Sequence, residues 1–271
     1  MRSILLHVHE DAGMEARLQA SLDVARTFNA HITCFQPVGF DFVVPGDPYS
    51  TMIAQLLPEM EAAAEALRER LSDKLANEDV AFGWVQEEGP ARPVLMRAEA
   101  LADLVVLGVH DPASSGRGPS ELAGYMAVHG RSPLLVVPET CSSLDVTGPA
   151  IVGWNGSLEA AHALRGAVPF LRKASSVTLV NVTEQVNDPD AFLPSVEAAE
   201  YLSRHDIRCE IAEIGRGAGT VGEALANAAT ARGASILTIG AYGHRRTVET
   251  VFGGVTRELF SNPPSPVFTA H

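Results

Sequence analysis

The sequence of 271 residues repeats one order of strands and helices twice. Both copies end on a Ser-Pro pair followed by a short apolar run, and the two pairs, Ser132-Pro133 and Ser265-Pro266, stand 133 residues apart (265 minus 132). Within each copy, short apolar runs typical of buried strands alternate with longer segments of helical period. Such alternation predicts parallel strands joined by right-handed crossovers. We therefore expect an α/β fold made of two tandem doubly wound parallel five-stranded sheets of Rossmann-like type.

The periodicity assigns five strands and four helices to each copy. In the first copy the predicted strands cover residues 3–8, 31–38, 80–86, 104–109 and 133–137, and the helices cover 16–28, 52–75, 92–102 and 121–129. In the second copy the strands cover 150–153, 176–182, 207–214, 235–239 and 266–270, and the helices cover 159–171, 191–205, 222–232 and 257–261. Residues 139–149 are rich in Ser, Thr, Gly and Pro and lack periodicity. They predict a linker between a domain at 1–138 and a domain at 150–271.

Charge and composition exclude several classes of partner. The net charge of −13 disfavours nucleic acid and an anionic membrane surface. No apolar window reaches the length of a membrane span, and the N-terminus lacks the apolar core of a signal peptide. The three cysteines are far apart and form no CxxC pair, so neither a disulfide framework nor a zinc site is predicted. These features favour a cytoplasmic protein, and base rates for soluble chains favour a homodimer.

A glycine-rich segment connects the strand at 235–239 to the last helix. Because glycine has no Cβ, its backbone can lie close to a ligand, and the N–H groups that open the following helix then point at an anion. The order of strand, glycine loop and helix therefore predicts a phosphate site. Three residues inside the loop are candidates for neutralising phosphate charge: His244, Arg245 and Arg246.

The glycine spacing resembles the signature of the universal stress protein family, Gly-x2-Gly-x9-Gly followed by Ser or Thr. The segment Trp154-Asn155-Gly156-Ser157 resembles the Asp-Gly-Ser turn of the same family. The resemblance covers both copies, in the manner of the tandem bacterial members, and is closest in the second copy. It implies an adenine nucleotide, ATP with or without Mg²⁺, bound in the second domain. The residues implied for ribose and phosphate are Gly240, Gly243, Gly253, Gly254, Val255 and Thr256, those beside the nucleoside are Trp154 and Asn155, and the one beside the base is Val182.

Two departures from the family pattern weaken catalysis. Gly254 stands where the family has Ser or Thr, and Asn155 stands where it has Asp, so that a carboxylate able to hold a metal is replaced by a neutral amide. No catalytic residue and no metal ligand are predicted at this site. The resemblance then implies a sensor or regulatory module of the stress response, with at most slow ATP hydrolysis.

The first copy lacks the glycines of the motif. Asp111 takes the place of the second glycine, and Ser120-Glu121 takes the place of the last pair. A carboxylate at the phosphate position repels an anion. The sequence therefore predicts one nucleotide per chain, with the two halves packed about a pseudo-two-fold axis.

A metal site in the first copy is a further hypothesis. If the first and fourth strands are neighbours, their carboxyl ends bring together His9, Glu10, Asp11, His110 and Asp111. Imidazole and carboxylate ligands together suit a divalent metal.

Two other functions stay open at this stage. One is a protein-interaction scaffold in which the glycine loop binds nothing. The other is an NAD(P)-dependent oxidoreductase that uses the Gly-x-Gly-x-x-Gly motif at Gly217, Gly219 and Gly222. Residues 235–248 contain no acid to hold a ribose, which counts against the second alternative.

Overall fold

A computed structural model describes residues 1–39, 49–111, 119–183, 194–241 and 254–270. The strands are β1 Ser3–His7, β2 His31–Val38, β3 Phe82–Glu88, β4 Leu104–Gly108, β5 Leu134–Val137, β6 Ala150–Gly153, β7 Val177–Thr183, β8 Cys209–Gly215, β9 Ile236–Thr238 and β10 Val267–Thr269. The α-helices are α1 Met14–Phe28, α2 Tyr49–Leu75, α3 Ala91–Ala98, α4 Glu121–His129, α5 Leu158–Leu171, α6 Ser195–Ser203, α7 Val221–Ala231 and α8 Gly254–Ser261. A 3-10 turn, Glu99–Leu101, follows α3. The alternation of strands and helices predicted from the sequence is confirmed.

All ten strands form one sheet in the order β3-β2-β1-β4-β5-β10-β9-β6-β7-β8. Residues 1–138, the first half, contribute five parallel strands, and residues 150–271, the second half, contribute the other five. The halves join where β5 and β10 pair antiparallel, with Val136 opposite Val267. The prediction of two separate five-stranded sheets is thus refined, because this join makes them continuous. Antiparallel pairing of equivalent strands is what a pseudo-two-fold axis between the halves requires.

Helices cover both faces of the sheet. Apolar side chains of α1, α2, α5 and α6 pack with one face, and those of α3, α4, α7 and α8 pack with the other. Every residue of β4 is buried, which explains why its sequence lacks the alternation of a strand with one wet face.

The segment at 139–149 forms no helix or strand and packs on the face of the sheet that carries α1. Its apolar residues Cys141, Leu144 and Val146 are buried in the core on that face. The Leu144 N–H donates to the Asp23 carboxylate at 2.8 Å. The predicted linker is therefore packed against the first half, while the division into two domains stays a prediction.

Two element boundaries bear on the site. Helix α8 begins at Gly254, three residues before the predicted start; Gly254 itself is exposed, and Thr256 is the buried residue of this first turn. Helix α6 begins at Ser195, and residues 191–193 of its predicted range lie outside the described residues.

A buried hydroxyl in the second half predicts a stabilising substitution. Thr238 is fully buried in β9, and its Oγ1 has no hydrogen-bond partner among the described residues. The first half has Val106 at the equivalent place in β4, also fully buried. We expect Thr238→Val to raise the free energy of unfolding by about 1 kcal/mol, since a desolvated hydroxyl is removed at constant shape. Urea denaturation measures the change.

A second threonine provides the control with opposite sign. The Thr220 hydroxyl accepts a hydrogen bond from the Glu223 N–H and caps α7. Thr220→Val should therefore lower stability by about 1 kcal/mol. A loss of stability in both variants would contradict the prediction, because it would show that the Thr238 hydroxyl makes a hydrogen bond in the folded protein.

Candidate functional site

A cleft opens at the carboxyl ends of β6, β7 and β9, beneath the first turns of α7 and α8. The space between its lining atoms is about 660 Å³, a figure that includes the part open to solvent. The residues that line it are Gly153, Trp154, Asn155, Ser157, Val180, Val182, Val221, Leu225, Ile239, Gly240, Gly254, Val255 and Thr256.

Most of the predicted site residues meet in this cleft. Seven of the nine line it: Trp154, Asn155, Val182, Gly240, Gly254, Val255 and Thr256. The other two, Gly243 and Gly253, lie outside the described residues, as do His244, Arg245 and Arg246. Sequence reasoning missed Gly153, Ser157 and the apolar residues Val180, Val221, Leu225 and Ile239.

The first turn of α8 forms one wall of the cleft. The N–H groups at the start of a helix have no intrahelical acceptor, and the helix dipole places partial positive charge there. In α8 these are the groups of Gly254, Val255 and Thr256, all of which line the cleft. A Cβ at Gly254 would meet no atom within 4 Å, so the approach to this turn is open among the described residues. The start of α8 at Gly254 thus places a helix N-terminus at the cleft.

Two glycines make the cleft possible. A Cβ on Gly153 would lie 3.2 Å from the Leu225 side chain, so a larger residue there would fill the space between β6 and α7. A Cβ on Gly240 would lie 2.6 Å from the Ala160 nitrogen, so the end of β9 and the first turn of α5 are in backbone contact. Only glycine allows that approach without displacement.

The turn after β6 is fixed by its own side chains. The Asn155 Oδ1 accepts from the Ser157 N–H at 3.2 Å, and the Ser157 hydroxyl caps α5 by accepting from the Ala160 N–H at 3.1 Å. Gly156 has a φ of 75°, which favours glycine. The oxygen of the Asn155 amide therefore holds the turn that lines the cleft.

Trp154 lines the cleft and is largely buried. It is 3% exposed and packs in the core on the α5 side of the sheet. Its place beside a nucleoside stays a prediction.

Solved structures with the same fold carry the name that the sequence suggested. A universal stress protein from Archaeoglobus fulgidus DSM 4304 superposes with a TM-score of 0.74 at 14% identity, covering 99% of this chain and 97% of that one. The chain has the universal stress protein fold. A functionally unknown protein from Pseudomonas aeruginosa PAO1 superposes with a TM-score of 0.60 at 13% identity, covering 99% of this chain and 92% of that one. No protein-family model and no curated protein matches the sequence.

Within this universal stress protein fold, the first half carries side chains where the second half has glycines. The pairing of Ile4 with Leu104 is equivalent to that of Ala150 with Ile236, which places His7 at the position of Gly153. Counting from the same pairs, Asp111 stands at the position of Gly243. The structure therefore extends the difference predicted at Asp111 to a second position.

Asp111 binds the first turn of α4. Its Oδ2 accepts from the Glu121 N–H at 2.6 Å, and its Oδ1 accepts from the Leu122 N–H at 3.3 Å and from the Ser120 hydroxyl. The Ser120 hydroxyl in turn accepts from the Ala123 N–H at 2.9 Å. The open N–H groups of this helix are thus bonded to side chains of the same half.

The metal hypothesis is not supported. Asp11 holds the Arg17 guanidinium with two hydrogen bonds of 2.9 and 2.7 Å and also accepts from the Gly13 N–H. Asp111 is directed at α4 as described above, and His9 places Nδ1 against the Glu10 carbonyl. Across the described ranges, no three His, Cys, Asp or Glu side chains are grouped so that they could hold a metal ion.

The Gly-x-Gly-x-x-Gly motif forms an ordinary strand-to-helix connection at the edge strand β8. Thr220 and Glu223 close a capping box at the start of α7. The Thr220 hydroxyl donates at 2.6 Å to the carboxylate of Glu258, which also lies against Gly222. This carboxylate would repel a pyrophosphate at the helix terminus. The geometry therefore argues against the oxidoreductase alternative.

His7 predicts a pH dependence of stability. Burial lowers its pKa well below the usual 6.5, and the charges of Arg17 and His9 lower it further. Below pH 6.5 the unfolded chain binds a proton at His7 that the folded chain does not bind, so stability falls as the pH falls. The slope approaches about 1.4 kcal/mol per pH unit for this group. Urea denaturation between pH 7.5 and 5 should show a shallower slope for His7→Leu, and equal slopes would contradict the prediction.

Among the described residues, no helix is long and apolar enough to span a membrane.

Proposed function

We propose that this chain is a universal stress protein that binds one adenine nucleotide, with ATP as the candidate, in the cleft of the second half. The observation that carries the proposal is the convergence of seven residues, named for this role by the glycine motif and the turn after β6, on one cleft. The first turn of α8 would bind phosphate, and Val182 and the apolar wall at Val180 and Leu225 would border the base and ribose.

The proposed role is regulatory. None of the described residues lining the cleft has an ionisable side chain. Among these residues there is therefore no general base or nucleophile to activate water, and binding would depend on backbone N–H groups, amides and hydroxyls. We propose a sensor whose conformation or partner binding follows the nucleotide, with at most slow hydrolysis.

Equilibrium binding of labelled ATP tests the proposal. The test variant is Gly243→Asp, which copies the Asp111 of the first half into the second. The matched control is Ala62→Asp, which adds the same charge at an exposed position of α2. We expect one ATP per wild-type chain, an unchanged Kd for the control, and a Kd raised at least about tenfold for Gly243→Asp, since a nearby like charge costs about 1.4 kcal/mol or more.

Two outcomes would contradict the proposal. Absence of binding by the wild-type chain would favour the scaffold alternative. Binding that Gly243→Asp leaves unchanged would place the nucleotide elsewhere. Repeating the titration with ADP and AMP, and with EDTA in place of Mg²⁺, identifies the preferred ligand and its need for the metal.

A cytoplasmic location and a homodimer are part of the proposal. Because β5 already pairs with β10 within the chain, a homodimer would have to use another surface. Sedimentation equilibrium with and without ATP would show whether a second copy binds.

A further inference from the structure

The two halves have the same strand register but differ in the residues at the carboxyl ends of their strands. In the second half, a cleft lies beside Gly153, Gly240 and Gly254. In the first half, His7 and Asp111 stand at the positions of Gly153 and Gly243. At both positions the first half therefore has a larger side chain than glycine. His7 is 4% exposed and faces the same side of the sheet as its strand partner Phe35.

Asp111 does more than an ordinary helix cap. The capping position of α4 is already taken by Ser120, whose hydroxyl accepts from the Ala123 N–H. Asp111 comes from the end of β4 instead and binds the two earlier N–H groups, those of Glu121 and Leu122. These groups are equivalent to the N–H groups of Gly254 and Val255, two residues that line the cleft in the second half.

An ion pair lies beside Asp111 on the first turn of α4. The Arg92 guanidinium pairs with the Glu121 carboxylate at 2.6 Å and lies 5.6 Å from the centre of the Tyr125 ring. Arg92 thus joins the first turn of α4 to α3. Two anions, Asp111 and Glu121, occupy the turn where an incoming phosphate would have to bind.

We propose that Asp111 is a built-in substitute for a ligand phosphate, which keeps the first half in a filled state without a ligand, and that His7 fills the adjoining space. The first half then sets the stoichiometry of the chain at one nucleotide. This last statement rests on the function proposed for the second half, whereas the role of Asp111 as an internal anion does not.

Replacement of the internal anion by a free one tests that role. Asp111→Gly copies Gly243 and removes the carboxylate. Thermal unfolding in chloride should show a Tm lower than that of the wild type by roughly 2 to 6 °C, as for loss of a helix cap in a chain of this size. Inorganic phosphate at constant ionic strength should recover at least half of that loss. Any effect of phosphate on α8 is common to both proteins, so the difference between them isolates position 111.

Asp111→Asn is the matched variant, because the amide keeps an acceptor oxygen but removes the charge. It should lose less stability than Asp111→Gly and respond less to phosphate. The proposal is overturned if phosphate raises the Tm of Asp111→Gly no more than that of the wild type. It is also overturned if Asp111→Gly is as stable as the wild type in chloride.

Nucleotide titration of the same proteins separates the two proposals. We expect one ATP per chain for the wild type and two for the His7→Gly, Asp111→Gly double variant. Phosphate rescue of Asp111→Gly without any ATP binding by the wild type would overturn the proposed function and leave the internal anion in place. Binding of one ATP by the wild type without phosphate rescue of Asp111→Gly would overturn the internal anion and leave the proposed function in place.

Discussion

Replacing Arg17 with leucine should lower the free energy of unfolding by about 3–5 kcal/mol, the usual effect of leaving a buried charge without its partner. The Arg17 side chain is 2% exposed and forms an ion pair with Asp11 at 2.7 Å. Its guanidinium also donates to the backbone carbonyls of His7 and His9 at 3.2 Å. The substitution would leave the Asp11 carboxylate and these two carbonyls without their donor. Equilibrium urea denaturation monitored by circular dichroism measures the loss.

An exposed ion pair provides the control for this experiment. Arg70 pairs with Glu10 at 2.6 Å, but both side chains are more than half exposed. Arg70→Leu should therefore change stability by less than about 1 kcal/mol. The double variant Asp11→Asn, Arg17→Leu should recover part of the loss seen in Arg17→Leu, because the unpaired charge is gone. A change at Arg17 no larger than that at Arg70 would contradict the argument.

Substituting Gly240 with alanine should cost about 1–3 kcal/mol, the usual effect of inserting atoms into a packed region. The new Cβ would lie 2.6 Å from the Ala160 nitrogen and 2.7 Å from the Glu159 carbonyl carbon, and backbone cannot rotate away as a side chain can. The first turn of α5 would have to move, and with it the turn held by Asn155 and Ser157. We therefore expect weaker ATP binding as well as lower stability, measured by titration and by urea denaturation.

Gly254 is the matched glycine for this test. A Cβ there meets nothing within 4 Å, and the residue lies in the first turn of a helix. Gly254→Ala should keep or raise stability, because alanine is the better helix former by up to about 1 kcal/mol. An equal loss of stability in both alanine variants would contradict the argument that Gly240 is needed for the close backbone contact with Ala160.

Much of the fold could be predicted because it depends on local patterns. Short apolar runs such as that of β4 and the repeated Ser-Pro endings are visible in the sequence, and they fix the order of the elements. The pairing of β5 with β10 could not be predicted in this way. It depends on contacts between residues more than a hundred positions apart, as between Val136 and Val267, and no local pattern specifies them.

Some of the site residues could likewise be predicted from the sequence, and others were missed. The glycine spacing identified Gly240 and Gly254, and alignment of the loops identified Asp111. His7 was missed as a residue that fills the first half, although alignment of the first strands of the two copies would have placed it opposite Gly153. The start of α8 was placed late because glycines weaken the helical pattern.

The antiparallel join also gives the molecule a direction. The strands of the first half run antiparallel to those of the second half, so the carboxyl ends of the two sets of strands lie on opposite sides of the molecule. The open cleft lies at one of these ends, and His7 and Asp111 lie at the other. If the proposed nucleotide binds, it would change the surface at the end that carries the cleft and leave the surface at the opposite end the same. The two ends of the chain would then differ in whether they respond to a ligand.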